Sequence, residues 1–186
     1  MAVLTVLLDQ PGHGYDIGLR AVSRFSPPYR LTVQHVYGNL RKLRRMGFIE
    51  PFDLDEVPDE VPDPKHPERG ATFKATADGA RGYRGWLGSS FRDWFGGPVR
   101  PEVVRRELFT RLRALRPDDY GAMLRLLDLF EDAMLRSIGY VARGEPLTIV
   151  DDLAREDHEA EIEGALRWVA AAREKVQDRL AAEMRR

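Results

Sequence analysis

The chain has no cysteine. This excludes a disulfide scaffold, a thiolate metal site and a cysteine nucleophile, and it fits a reducing compartment. Long hydrophobic runs are missing too. The opening "MAVLTVLLDQPGHG" holds about seven apolar residues interrupted by Thr5, with no basic flank before them. That is too short for a bilayer crossing, which needs roughly 20, and it lacks the layout of a signal peptide. A cytoplasmic protein with no membrane partner is expected. Catalytic signatures are also wanting: there is no GxSxG, no phosphate-binding glycine loop and no HExxH. Asp157, His158 and Glu161 fall close together on one helical stretch, but they stand in the acidic run "REDHEAEIE", where solvation is the better reading. Neither a metal, nor a cofactor, nor an enzymatic activity is expected.

What is present is an uneven charge. The net charge of −1 conceals a basic segment beside an acidic one. Between Met1 and Ile49, Arg20, Arg24, Arg30, Arg41, Lys42, Arg44 and Arg45 face only Asp9 and Asp16, a net +5. Between Glu50 and Gly70, eight acidic residues face Lys65 and Arg69, a net −6. The first segment suits a polyanion and the second does not.

Hydrophobic spacing predicts helices over about Ala2–Asp9 and Gly14–Phe25, the second with Tyr15, Leu19 and Val22 inward and Ile17 as a further candidate. Pro27 and Pro28 stop it. A third helix follows in "YRLTVQHVYGNLRKLRRMGFIE", with Val33, Val36, Leu40 and Leu43 on its core side. Thr32 is placed to cap its start and Gly47 to end it in a left-handed conformation. "FIEPF" and "ATFKA" read as strands bracketing the Pro-rich acidic "DLDEVPDEVPDPKHPERG", a hairpin with a long tip. Thr76 caps a helix from about Ala77 to Phe95. Its glycines at 79, 82, 85 and 88 weaken helix propensity, so packing must hold it; close helix contact and composition bias explain them equally well. Beyond Arg100 the chain reads as helix throughout. One stripe is Val104, Leu108, Leu112 and Leu115. Another is Met123, Leu124, Leu127, Phe130, Met134 and Ile138, and the last is Ile162, Leu166, Val169, Val176 and Leu180. The expected division is 1–95 and 96–186, near "FGGPVRP".

Helix, helix, helix, strand, loop, strand is the order of a winged helix-turn-helix, in which the third helix enters the major groove. Three collinear blocks go further. "LLDQPGHGYDIGLRAVSRF", "VYGNLRKLRRMGFIE" and "TFKATADGA" closely resemble the PadR family of bacterial transcriptional regulators, over about the first 95 residues. The helical remainder resembles the dimerisation region of that family's longer, Vir-type members. His35 stands where the family has a small hydroxyl residue and Gly38 where it has proline. Thr72 replaces one of two paired aromatics, and the wing is long and acidic rather than short and basic.

The expected fold is therefore mainly α with a small β-hairpin: an N-terminal winged helix-turn-helix and a C-terminal all-helical dimerisation domain. The resemblance implies a sequence-specific regulator, a repressor by expectation, binding a palindromic operator in double-stranded DNA as a homodimer. A small hydrophobic or phenolic effector would release it. On the third helix Gln34, Gly38, Arg41 and Arg45 share one face, flanked by Thr32, His35 and Lys42. Gln34 and His35 are candidates for base edges, and Arg41, Lys42 and Arg45 for phosphates or guanine. Tyr37 is read as packing or as a phosphate contact. Arg69 and Lys74 are the wing candidates. Phe91, Trp94 and Phe95 are candidate ligand aromatics, with core packing the better reading, as for Trp86 and Trp168. His13 is read as ordering a turn. The C-terminal stripe is the expected dimer contact, with folding back on its own subunit as the competitor. The alternative function is a winged-helix protein–protein interaction module that does not bind DNA.

Overall fold

The computed structural model describes residues 1–26, 31–52, 71–91, 100–141 and 148–185, which divide into two compact units, Met1–Gly88 and Ser89–Arg186. A boundary at 95 lies outside the described residues.

The first unit begins with α1 (Ala2–Asp9), whose Val3, Leu4, Val6 and Leu7 are buried. Two residues, Gly12 and His13, then form a strand, β1, before α2 (Gly14–Phe25). The α2 guanidinium of Arg20 donates to the carbonyls of Gln10 (3.0 Å) and Pro11 (3.4 Å), closing the exposed end of α1. The core side of α2 differs from the expectation. Ile17, Ala21 and Phe25 are buried, Val22 is half-buried, and Tyr15 and Leu19 are exposed. The sequence offers two apolar stripes there, and backbone clearance chooses between them. Gly18 lies on the Ile17 side and admits Val33 of the next helix, whose Cγ1 would be 3.2 Å from any Cβ at that position.

Helix α3 (Val33–Arg45) buries Val36, Leu40 and Leu43, with Val33 half-buried. It ends in a Schellman motif. The Phe48 N–H donates to the Leu43 carbonyl (2.9 Å) and the Gly47 N–H to that of Arg44 (3.0 Å). Gly47 has φ +71°, the left-handed conformation that L side chains avoid. Strands β2 (Ile49–Pro51) and β3 (Thr72–Ala75) pair antiparallel with Glu50 opposite Lys74, and β1 adds on the other side of β3 with His13 opposite Thr72. The expected hairpin is thus a three-stranded sheet in the order β1-β3-β2. His13 belongs to a strand rather than a turn, its Nδ1 3.2 Å from the Thr72 hydroxyl. That contact gives a nearly buried Thr72 a polar partner where an aromatic ring would have none.

Helix α4 (Ala77–Gly88) starts from Thr76, whose hydroxyl accepts from Gly79 N–H (3.0 Å) and donates to the Gly47 carbonyl (2.7 Å). Its expected run to Phe95 is not followed: the described helix ends at Gly88.

In the second unit, α5 (Pro101–Ala114), α6 (Tyr120–Val141) and α7 (Ile149–Glu183) surround a core of Phe91, Val104, Leu108, Leu126, Leu127, Phe130, Met134, Ile162 and Val169. Ring edges organise it. Phe91 and Trp168 both approach Phe130 edge-on, at 6.2 and 6.1 Å between centroids, and Phe109 lies 5.5 Å from Trp168. The α7 stripe therefore turns on its own chain. Ile162, Ala165 and Val169 pack there, and α6 is the main neighbour of α7. Arg173 ties the pair, donating to Asp128 (2.8 Å) and Glu131 (2.6 Å). Nearer the other end, Ser137 meets His158 at 3.4 Å. Among the described residues no helix is long and apolar enough to cross a membrane.

Candidate nucleic-acid interface

The outward side of α3 collects the candidate residues. With Val36, Leu40 and Leu43 anchored in the core, Gln34, Gly38, Arg41 and Arg45 point away from it, and all four are exposed. His35 and Lys42, also exposed, border that strip on one side. Half-buried Tyr37 and exposed Arg44 border it on the other. Arg44 was not among the residues expected from sequence; its helical phase puts it on the shoulder beside Tyr37. Four cations on 13 helical residues give this surface its electrostatic character. Lys42, Arg44 and Arg45 occupy the last turn, where they also offset the negative end of the helix dipole. A Cβ added at Gly38 would meet nothing within 4 Å, so the strip has a bare backbone patch in its middle.

The N-terminus of α3 is more built than the sequence suggested. Thr32 and His35 form a capping box in which the His35 N–H donates to the Thr32 hydroxyl (3.4 Å) and the Thr32 N–H donates to His35 Nδ1 (3.4 Å). Capping boxes ordinarily take Glu or Gln at this third position, so the sequence carries no signal for a capping imidazole. Asn39 adds a bond from its side-chain amide to the His35 carbonyl at 2.9 Å.

The wing contributes less. Lys74 pairs with Glu50 across the strands at 3.3 Å, and its ammonium lies 5.1 Å from the centre of the Phe52 ring. Any phosphate it met would compete with that carboxylate. Arg69 lies outside the described residues, as do Trp94 and Phe95 of the aromatic candidates. Phe91, the third of these, is buried in the second unit between Arg111 and Phe130, a core position. Asp157 is exposed while His158 turns to Ser137 and, at 3.9 Å, to Glu161. Among the described residues no three His, Asp or Glu side chains are placed to hold a metal ion.

A winged-helix unit carrying an exposed basic third helix is the class of structure these features define. Two solved structures are similar along nearly the whole chain. One is a PadR-like transcriptional regulator from Bacillus cereus, 15% identical, with 95% of this chain and 96% of that one covered and a TM-score of 0.34. The other is Bacillus subtilis PadR in complex with operator DNA, 16% identical, with 97% and 95% covered and a TM-score of 0.37. No protein-family profile and no curated protein matches the chain.

Proposed function

We propose that the chain is a sequence-specific DNA-binding transcriptional regulator that reads the major groove with α3. The observation that carries this is the separation of roles on that helix: three buried apolar residues aim it, and the opposite side is an exposed basic strip. It acts as a repressor and as a homodimer, which sets two α3 helices about one DNA turn apart on a palindrome. Ile149, Val150 and Leu153, exposed at the start of α7, support a contact between copies in the second unit better than the centre of α7 does. A small hydrophobic effector would act by favouring one spacing of the two helices.

The test is mobility shift on duplex DNA from the region upstream of the chain's own gene, across a salt series. Steep salt dependence with sequence preference is expected; a flat, sequence-blind response would sink this reading and favour a protein-interaction module. Lys42→Ala with Arg45→Ala should weaken binding to all sequences alike and reduce the salt slope by about 2 per copy. Both residues are exposed, so the melting temperature should fall by only a few degrees, through their lost interaction with the helix dipole. Neutralising Asp53, Asp55, Glu56, Asp59, Glu60 and Asp63 to their amides should raise affinity. The gain should fade as the screening length shrinks from about 10 Å at 0.1 M salt to about 3 Å at 1 M.

A further inference from the structure

The capping box at the start of α3 fixes more than the helix end. Three contacts meet at Thr32 and His35: Thr32 N–H to Nδ1 at 3.4 Å, the Thr32 hydroxyl to Nδ1 at 3.2 Å, and His35 N–H to that hydroxyl at 3.4 Å. A main-chain N–H can only donate, so Nδ1 must offer its lone pair. The hydroxyl oxygen accepts from His35 N–H, which leaves its own proton free for the same Nδ1. One neutral tautomer, with the ring proton on Nε2, accommodates all three contacts, the Thr32 N–H and O–H sharing the single Nδ1 lone pair. The opposite tautomer would set two donors against each other.

The residue is exposed, on the border of the basic strip and within the first turn of α3. In helix-turn-helix proteins the N-terminal residues of the recognition helix are those that meet base edges. Gly38, one turn further on, presents no side chain to hold a base edge away. Nε2–H is therefore a donor of fixed position, and it discriminates among bases by their acceptors. Guanine offers N7 and O6, thymine O4 and adenine N7, whereas cytosine presents only its amino donor in the major groove.

Resting on the DNA-binding reading above, we propose that His35 is a specificity-determining residue: an imidazole locked by Thr32 as a hydrogen-bond donor, selecting an acceptor-bearing base, guanine foremost, and rejecting cytosine. The sequence departs from the resembled family at this position, so the contact would set this chain's own operator apart.

Two measurements test it. Long-range proton–nitrogen correlation on the free protein should show His35 with Nε2 protonated and Nδ1 bare; a protonated Nδ1 would overturn the proposal whatever the DNA result. Selection from a pool of randomised duplexes should give the wild type a motif with one position per half-site that excludes cytosine. His35→Ala should lose about fivefold to tenfold discrimination at that position alone. His35→Gln should retain it, because glutamine keeps the capping box and turns its amide NH2 outward. A motif unchanged in His35→Ala would overturn the inference and leave α3 a reader by other residues. No motif from the wild type would instead defeat the DNA reading, and this proposal with it.

Discussion

Replacing Gly79 with alanine should lower the unfolding midpoint of the N-terminal unit by about 12–24 °C, from a loss of roughly 3 kcal/mol. A Cβ there would lie 2.2 Å from the Phe48 carbonyl oxygen and 3.3 Å from a methyl of buried Leu4. Backbone cannot step aside as a side chain can. The same carbonyl accepts the Thr76 N–H at 3.0 Å, so moving it also loosens the entry to α4. The sign is the informative part. In a helix interior Gly→Ala ordinarily stabilises by about 0.5–1 kcal/mol. At Gly85 a Cβ would meet nothing within 4 Å, and there alanine should raise the midpoint. Trp86 reports this unit by fluorescence once Trp94 and Trp168 are both changed to Phe. A harmless Gly79→Ala would mean that α4 does not pack against the Phe48 corner.

That contrast shows which parts of the fold could be read in advance. Signals confined to a few neighbouring residues were legible. Thr32, Gly47 and Thr76 each do what their chemistry and position foretold, and α1, α2 and α3 keep their expected limits. The glycine row in α4 was visible, but not that Gly79 and Gly82 face Phe48 while Gly85 and Gly88 face open space. That depends on where another segment passes. Pairings remote in sequence were equally hidden. The two-residue strand at Gly12–His13 exists because β3, some 60 residues on, supplies its partners. The Lys74–Glu50 bridge needs the strand register before it can be foreseen. In the site itself, the basic strip of α3 followed from helical phase alone. So did the place of His35 at its edge, but not its capping role, because its Nδ1 is committed by a cap that sequence rules assign to Glu or Gln.

Arg111 was the least legible residue of the second unit, and its loss should be the most damaging there. Sequence spacing placed Leu112 on the α5 stripe, yet Leu112 is half-buried and Arg111, at 2% exposure, takes the inward place. A guanidinium can be buried where its terminal nitrogens are hydrogen-bonded and its face is stacked on a ring. Arg111 donates to the carbonyl of Ser89, to the Ser89 hydroxyl (3.1 Å) and to Glu107 (2.6 Å), and its face covers the Phe91 ring at 4.2 Å. One side chain thereby fastens residues 89–91, the start of the unit, onto α5. Arg111→Ala should cost about 3–5 kcal/mol, combining a cavity with a stranded Ser89 carbonyl. Arg111→Met restores volume without donors and should recover part of that loss, to a net cost of about 1–3 kcal/mol. Lysine should rescue poorly, since a single ammonium cannot span Ser89 and Glu107 together while lying flat on a ring. Denaturation followed through Trp168, with Trp86 and Trp94 both changed to Phe, separates these cases. If methionine matched the wild type, the apolar stacking on Phe91 would account for the burial and the hydrogen bonds to Ser89 would contribute nothing net.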